Sequence, residues 1–252
     1  MIFLKSPREV EIMRRASQIV AEVLEELKGT VVPGITTLDM DALAEEQTRK
    51  KNARPAFKGY TMAGRVYPCS LCTSVNEEIV HGIPSKRVLK EGDLVGIDFG
   101  VIYEGFYGDA AVTVGVGKVS DAAGRLMQVT EEALTLGIEE LHEGKRLGDL
   151  SSMIQKTVEA AGFSVVREFV GHGIGRKLHE EPPIPNYGEP GHGPRLMEGM
   201  VLAIEPMVNA GRCEVEMKDD GWTAVTKDRS LAAHFEHSVA VTKNGPYILS
   251  KI

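Results

Sequence analysis

Glu91-Gly92-Asp93-Leu94-Val95-Gly96-Ile97-Asp98 and Glu198-Gly199-Met200-Val201-Leu202-Ala203-Ile204-Glu205 are two versions of one phrase. Each reads Glu-Gly-x, two aliphatic residues, a small residue, Ile and then an acid. A second pair lies downstream of each: Asp109-Ala110-Ala111-Val112-Thr113-Val114 matches Glu236-His237-Ser238-Val239-Ala240-Val241 as an acid, two residues, Val, one residue, Val. A third lies upstream, where His81-Gly82-Ile83 is echoed by His172-Gly173-Ile174. Three matches in the same order predict an internal duplication within one domain, 1–252, with halves of about 1–117 and 118–252 facing each other across one site.

The text around these phrases has the same order in both halves. Ser6-Pro7-Arg8-Glu9 carries a capping box and a proline suited to the first helical position. Ile12, Met13, Ala16, Ile19, Val20, Val23, Leu24 and Leu27 follow at helical spacing, and Gly29 stops the run. A second helix is expected over 38–52. Residues 57–72 lack periodicity and read as a long loop. Strands are expected at 71–75, 94–101 and 107–116, the last two joined by a hairpin at Tyr103-Glu104-Gly105. Two more helices, near 120–141 and 148–161, precede strand-like runs at 165–169, 200–208, 223–226 and 237–242. Helix, helix, strands, repeated, defines a mixed α/β (α+β) protein.

Composition narrows the function classes. Of 252 residues, 42% are hydrophobic and 26% charged, as in ordinary globular proteins. The net charge of -7, without a Lys/Arg block, argues against specific nucleic-acid binding. No apolar run approaches the roughly 18–20 residues of a membrane span, and the N-terminus lacks the pattern of a signal peptide. Three cysteines, an odd number, point to a reducing, cytoplasmic compartment. Cys69 and Cys72 form a lone CxxC without a second pair and read as ordinary thiols.

The acids of the repeated phrases carry the chemistry. Asp98 ends an apolar strand run and Asp109 lies in the returning strand. Their separation, 109 − 98 = 11, puts both on one face of an unbulged hairpin with an even loop. Glu205 ends the matching apolar run, where a charge is costly unless paired or metal-bound. Gly171–Pro182, GHGIGRKLHEEP, adds His172 and His179. Its three glycines in five residues forbid a regular helix and allow a tight turn or a close backbone approach. Crowded carboxylates repel unless cations balance them. Oxygen ligands with an imidazole suit Mn, Fe(II), Co or Zn. Two such ions about 3.5–4 Å apart activate a water and polarise a carbonyl, so the reaction class is metal-assisted hydrolysis.

GHGIGRKLHEEP, together with IDFG (97–100), YGDAAVT (107–113), IEPM (204–207) and FEHSVAV (235–241), resembles the type I methionine aminopeptidases over nearly the whole chain. The resemblance implies the pita-bread fold, two pseudo-symmetric halves around a central antiparallel sheet. It implies removal of the initiator methionine from nascent polypeptides at the ribosome, by a cytoplasmic monomer. It makes Asp98, Asp109, His172, Glu205 and Glu236 the ligands of two divalent ions (Co, Mn, Fe(II) or Zn). Asp109 and Glu236 bridge the ions, Asp98 completes one site, and His172 and Glu205 complete the other. His81 falls near the substrate amine and scissile bond, His179 on the scissile carbonyl or the following amide, and Glu205 carries the proton to the leaving amine. Tyr60, Tyr67, Cys72, Leu178 and Trp222 match pocket positions. Six residues, 61–66, separate the two tyrosines, more than the usual bacterial pattern, and Leu178 stands where Phe is common. The 205 − 172 = 33 positions from His172 to Glu205 are too few for the helical insert of the type II enzymes. The alternatives are another aminopeptidase or an X-Pro peptidase of the same fold, and a non-catalytic binding module.

Overall fold

In the computed structural model, which describes residues 1–251, local signals set the helix starts. Helix α1 spans Pro7–Lys28; Ser6 Oγ accepts from Glu9 N while the Glu9 carboxylate accepts from Ser6 N at 2.9 Å. Helix α2 spans Thr37–Lys50, one residue earlier than its first leucine indicated, because Thr36 and Asp39 form a second capping box. Helix α3 (Asp121–Glu139) starts from Ser120, and α4 (Leu147–Ala160) follows Arg146.

The main sheet has nine strands: β1 (Arg54–Pro55), β2 (Leu71–Val75), β3 (Leu94–Tyr103), β4 (Phe106–Gly115), β5 (Val170–Gly173), β6 (Glu180–Pro185), β7 (Val201–Ile204), β8 (Glu236–Thr242) and β9 (Gly245–Ile248). The order is β1-β3-β4-β8-β7-β5-β6, with β2 also on β3 and β9 also on β8. All these pairings are antiparallel. Strands β4 and β8 meet only at Ala111–Glu236 and Ala110–His237, so the first and second parts of the sheet join through a two-residue seam.

Side-chain alternation assigns the two faces. On the outer face, Val95, Ile97, Phe99 and Val101 of β3 and Ala110 of β4 pack into one core with Ile19, Val23, Leu27 and Met40 of α1 and α2. Leu202 and Ile204 of β7 and Val239 and Val241 of β8 pack into another with Leu126, Leu134, Leu150 and Ile154 of α3 and α4. Asp98, Asp109, Ala111, Ala203 and Glu236, at the alternate positions of these strands, turn to the opposite face. The helices therefore cover the outside and leave the inner face for the site.

Three expectations are modified by backbone chemistry. The run 200–208 is two strands, because Pro206 has no N–H for the ladder; β7 stops at Ile204 and Met207–Asn209 joins a smaller sheet. The expected 165–169 strand is only Ser164–Val165. The long loop 57–72 contains a short hairpin, Thr61–Met62 paired with Arg65–Val66. Strand β6 escaped notice because it carries Pro182, Pro183 and Pro185; it lies at the sheet edge, where a missing N–H is tolerated.

Candidate metal centre and substrate pocket

The register places the acids in a row. Cys72 is opposite Asp98, Asp98 opposite Ala111, and Ala111 opposite Glu236. Ile204 pairs with His237, so the next step of the same register sets Glu205 beside Glu236. Asp109 is two residues from Ala111, on the same face. It faces Gly100, where even a Cβ would lie 3.1 Å from Asp109 Oδ1. Ala111, in the middle of the row, presents only a methyl group. His172 pairs with Ala203, two residues before Glu205, and its Nε2 is 3.5 Å from Glu205 Oε1.

The glycines around His172 act by close approach. Gly171 and Gly173 belong to an extended strand held between β7 and β6, so of the two uses their spacing allows, they serve the close backbone approach and not the turn. A Cβ at Gly171 would stand 2.5 Å from Ala203 O, and one at Gly173 2.2 Å from Glu181 O. Only glycine lets β5 pack this closely on both neighbours.

The electrostatics call for cations. Burial pushes the carboxyls of Asp98, Asp109, Glu205 and Glu236 above the ordinary range, and repulsion from neighbouring carboxylates adds to the rise at Asp98, Asp109 and Glu236. Asp98 Oδ1, Asp109 Oδ1 and Glu236 Oε1 are buried without a hydrogen-bond partner among the described residues. Burial lowers His172 to about 3, so its imidazole is neutral. Its Nδ1–H donates to Gly173 O at 2.9 Å, which leaves the Nε2 lone pair directed at the acids. Ligand atoms of Asp109, His172 and Glu236 lie within 4.8 Å of one another. Hard oxygen donors with one neutral imidazole fit a divalent cation.

The pocket brings together every residue singled out in the sequence. Tyr60, Tyr67, Cys72, His81, Asp98, Asp109, His172, Leu178, His179, Glu205, Trp222 and Glu236 all line it. Tyr67 donates to Gly82 O at 2.9 Å and stands edge-on to Trp222, 5.2 Å between centroids. Tyr60 Oη and His179 Nδ1 are 2.7 Å apart, and the rings of His179 and His172 are 4.4 Å apart. His81 has φ 61°, stands edge-on to Phe169, and is lowered by burial to about 4. Gly82 makes this bend possible: a Cβ there would be 2.1 Å from Thr73 O.

Phe57 and Met62 also line the pocket and were not anticipated; both lie in the aperiodic stretch, where spacing carries no signal. His234 was also missed. It is buried, and its Nε2 is 3.5 Å from Glu205 Oε2. Its position two residues before Glu236 is the period-two spacing that could have placed it on the same face.

A metal-dependent hydrolase is the class of protein this fold and inner face define. The pattern of metallopeptidase family M24 matches residues 11–243. The methionine aminopeptidase of Clostridium perfringens is 54% identical over 252 residues, covering all of both chains. Methionine aminopeptidase 1 of Bacillus subtilis is 52% identical, again over all of both chains. The crystal structure of methionine aminopeptidase from Thermotoga maritima superposes with a TM-score of 0.97 at 51% identity and full coverage of both chains. Prolidase from Pyrococcus furiosus, at 24% identity, shares the fold alone, with a TM-score of 0.78 over 65% of its length. The chain belongs to the methionine aminopeptidases, pita-bread enzymes of metallopeptidase family M24.

Proposed function

We propose that the chain removes N-terminal methionine from nascent polypeptides, with Asp98, Asp109, His172, Glu205 and Glu236 holding two divalent ions. The observation that carries this reading is the cluster of carboxyl groups, three of them with buried oxygens that lack a partner among the described residues, lying beside a pocket with apolar walls. Bound ions, whether Co, Mn, Fe(II) or Zn, supply Lewis acidity toward the scissile carbonyl and the attacking water.

The remaining work falls to the protein's own groups. Tyr60, Tyr67, Cys72, Leu178 and Trp222 border the methionine side chain, whose thioether packs well on aromatic and sulfur surfaces. When Tyr60 O–H donates to His179 Nδ1, the opposite Nε2–H is left as a donor for the scissile carbonyl. His81, neutral in its buried position, accepts from the substrate amine. Glu205, lying between His172 and His234, carries a proton to the leaving amine; burial raises its carboxyl toward the range useful in general acid–base catalysis. The net charge of -7 supports a peptide rather than a nucleic-acid substrate. Among the described residues no helix is long and apolar enough to cross a membrane.

Assays of Met-Ala-Ser, Leu-Ala-Ser and Ala-Pro peptides test the reading. Preferred cleavage of the first is expected, and only after addition of Mn, Fe(II) or Co to the chelated protein. Faster cleavage of the leucyl or prolyl peptide would move the chain to another specificity. Metal-independent inactivity on all three would favour a binding module.

Metal removal gives a second expectation. Above about pH 7.5, where imidazoles of the unfolded chain have lost nearly all their protons, the raised carboxyls, joined by the buried thiols of Cys69 and Cys72, keep protons in the folded chain that the unfolded chain releases. The folded chain then binds more protons than the unfolded one, so stability falls as pH rises. Melting of the chelated protein should therefore occur at lower temperature as pH increases above that point, and divalent ions should reverse the trend. A melting temperature that is flat with pH in the chelated protein would contradict the assignment.

A further inference from the structure

The turn 174–179 links β5 to β6 and carries His179, which meets both Tyr60 and His172. Backbone bonds hold its near end: Ile174 N donates to Val201 O at 3.0 Å, and Gly175 O accepts from Tyr107 N at 2.9 Å. The far end is gathered by one carboxylate. Glu180 Oε1 accepts from Arg176 N at 2.8 Å and from Lys177 N at 3.2 Å. Glu180 Oε2 accepts from Lys5 Nζ at 2.7 Å.

Lys5 is itself anchored on the sheet. Lys5 N donates to Gly199 O at 2.7 Å, and Gly199 N donates to Val241 O of β8 at 3.0 Å. Lys5 Nζ also donates to Phe3 O at 3.0 Å. A Cβ at Gly175 would stand 2.6 Å from Lys5 Cε and 2.7 Å from Glu180 Oε1, so the third glycine of GHGIGRKLHEEP makes room for the ion pair. Both side chains of the pair are only 6% exposed. Removing one partner of such a pair is strongly destabilising, because the other charge is left poorly solvated. The second ion pair to this turn, Arg176 with Glu9 at 3.1 Å, uses an arginine side chain that is 66% exposed and contributes little.

We propose that Lys5 is a positioning residue for the reaction: through Glu180 it fixes the 174–179 turn, and with it the imidazole of His179, which adjoins Glu180 in the chain. The proposal rests on the role given to His179 above. Each oxygen of Glu180 has its own task, one gathering the turn and the other tying it to Lys5. Loss of the ammonium frees the turn as a unit, while the sheet that carries the acids keeps its register.

Lys5→Met keeps the apolar stem and removes the charge. Amide hydrogen exchange at Arg176 and Lys177 is expected to quicken at least about tenfold, a readout independent of activity. For Met-Ala-Ser, kcat is expected to fall about tenfold, as for a slightly misplaced catalytic group, with KM within about twofold. Calorimetric affinity for Mn should stay within a few-fold of wild type. In the His179→Ala background, Lys5→Met should change kcat less than about twofold, because both substitutions act on one group. Lys5→Met/Glu180→Gln removes both charges together, which spares stability, and is still expected to lose about tenfold in kcat. Unchanged amide exchange in Lys5→Met, wild-type kcat in the paired variant, or a full further tenfold loss in the His179→Ala background would each overturn the proposal. Unchanged kcat in His179→Ala alone would overturn the role given to His179, and amide exchange would still decide whether Lys5 holds the turn.

Discussion

Glu236→Gln is expected to lower kcat/KM by more than the roughly 100-fold that loss of an outer-shell partner of a metal site costs, while the protein remains folded. Glu236 is central to the row: Ala111 lies on one side, Glu205 on the other, and its Oε1 has no hydrogen-bond partner among the described residues. The amide has nearly the same volume but no charge, so it would not supply the anionic oxygen that the proposed metal centre would draw from Glu236. Burial and neighbouring carboxylates already push the Glu236 carboxyl strongly toward its neutral form in the absence of cations. The amide resembles that neutral form. The chelated variant should therefore melt at or above the temperature of the chelated wild type at pH 7.5, whereas the metal-induced rise in melting temperature should largely disappear. Calorimetric titration with Mn or Co measures the loss of binding directly. Undiminished binding of two equivalents, or global unfolding of the variant, would remove Glu236 from the metal centre.

His179→Ala is expected to lower kcat for Met-Ala-Ser about 100-fold, the scale of losing one donor to a developing oxyanion, and to change KM only severalfold. His179 is at the exposed end of the site, 2.7 Å from the Tyr60 hydroxyl and packed against the ring of His172. A donor that acts on charge developed in the transition state appears in kcat more than in substrate affinity. Tyr60→Phe should produce a smaller fall in kcat, because it removes only the hydroxyl that orients the imidazole. Metal affinity of His179→Ala should remain within a few-fold of wild type, which separates its role from that of His172. An unchanged kcat would exclude His179 from the reaction.

Much of the candidate site was legible in the sequence because strands preserve a simple period. The odd separation of Asp98 and Asp109 puts them on one face, and the two-residue hairpin at Glu104-Gly105 keeps that parity: Tyr103 pairs with Phe106, and the register runs unbroken to Leu94 and Gly115. Capping residues were equally local: Ser6 with Glu9 marks α1, and Thr36 with Asp39 marks α2. Features that depend on two distant backbones were not legible. The glycine spacing allowed a turn or a close approach, and only the pairing of three strands decides that Gly171 and Gly173 serve the close approach. His234 was readable in principle from its spacing to Glu236, but it lies outside the repeated phrase that drew attention to that stretch.

The sequence by itself determined the repeated acids, the alternation that assigns each strand a buried outer face, the helix starts and the family resemblance, because each depends on residues close along the chain. Only the tertiary structure decided that Cys72, Asp98, Ala111 and Glu236 form one row, that three carboxyl oxygens of the site lack partners among the described residues, and that Gly171 and Gly173 are pressed between β7 and β6. The reason is physical. Local hydrogen-bond geometry and hydrophobic period set where a side chain points, but which side chains meet depends on strand register and on the burial of several elements together.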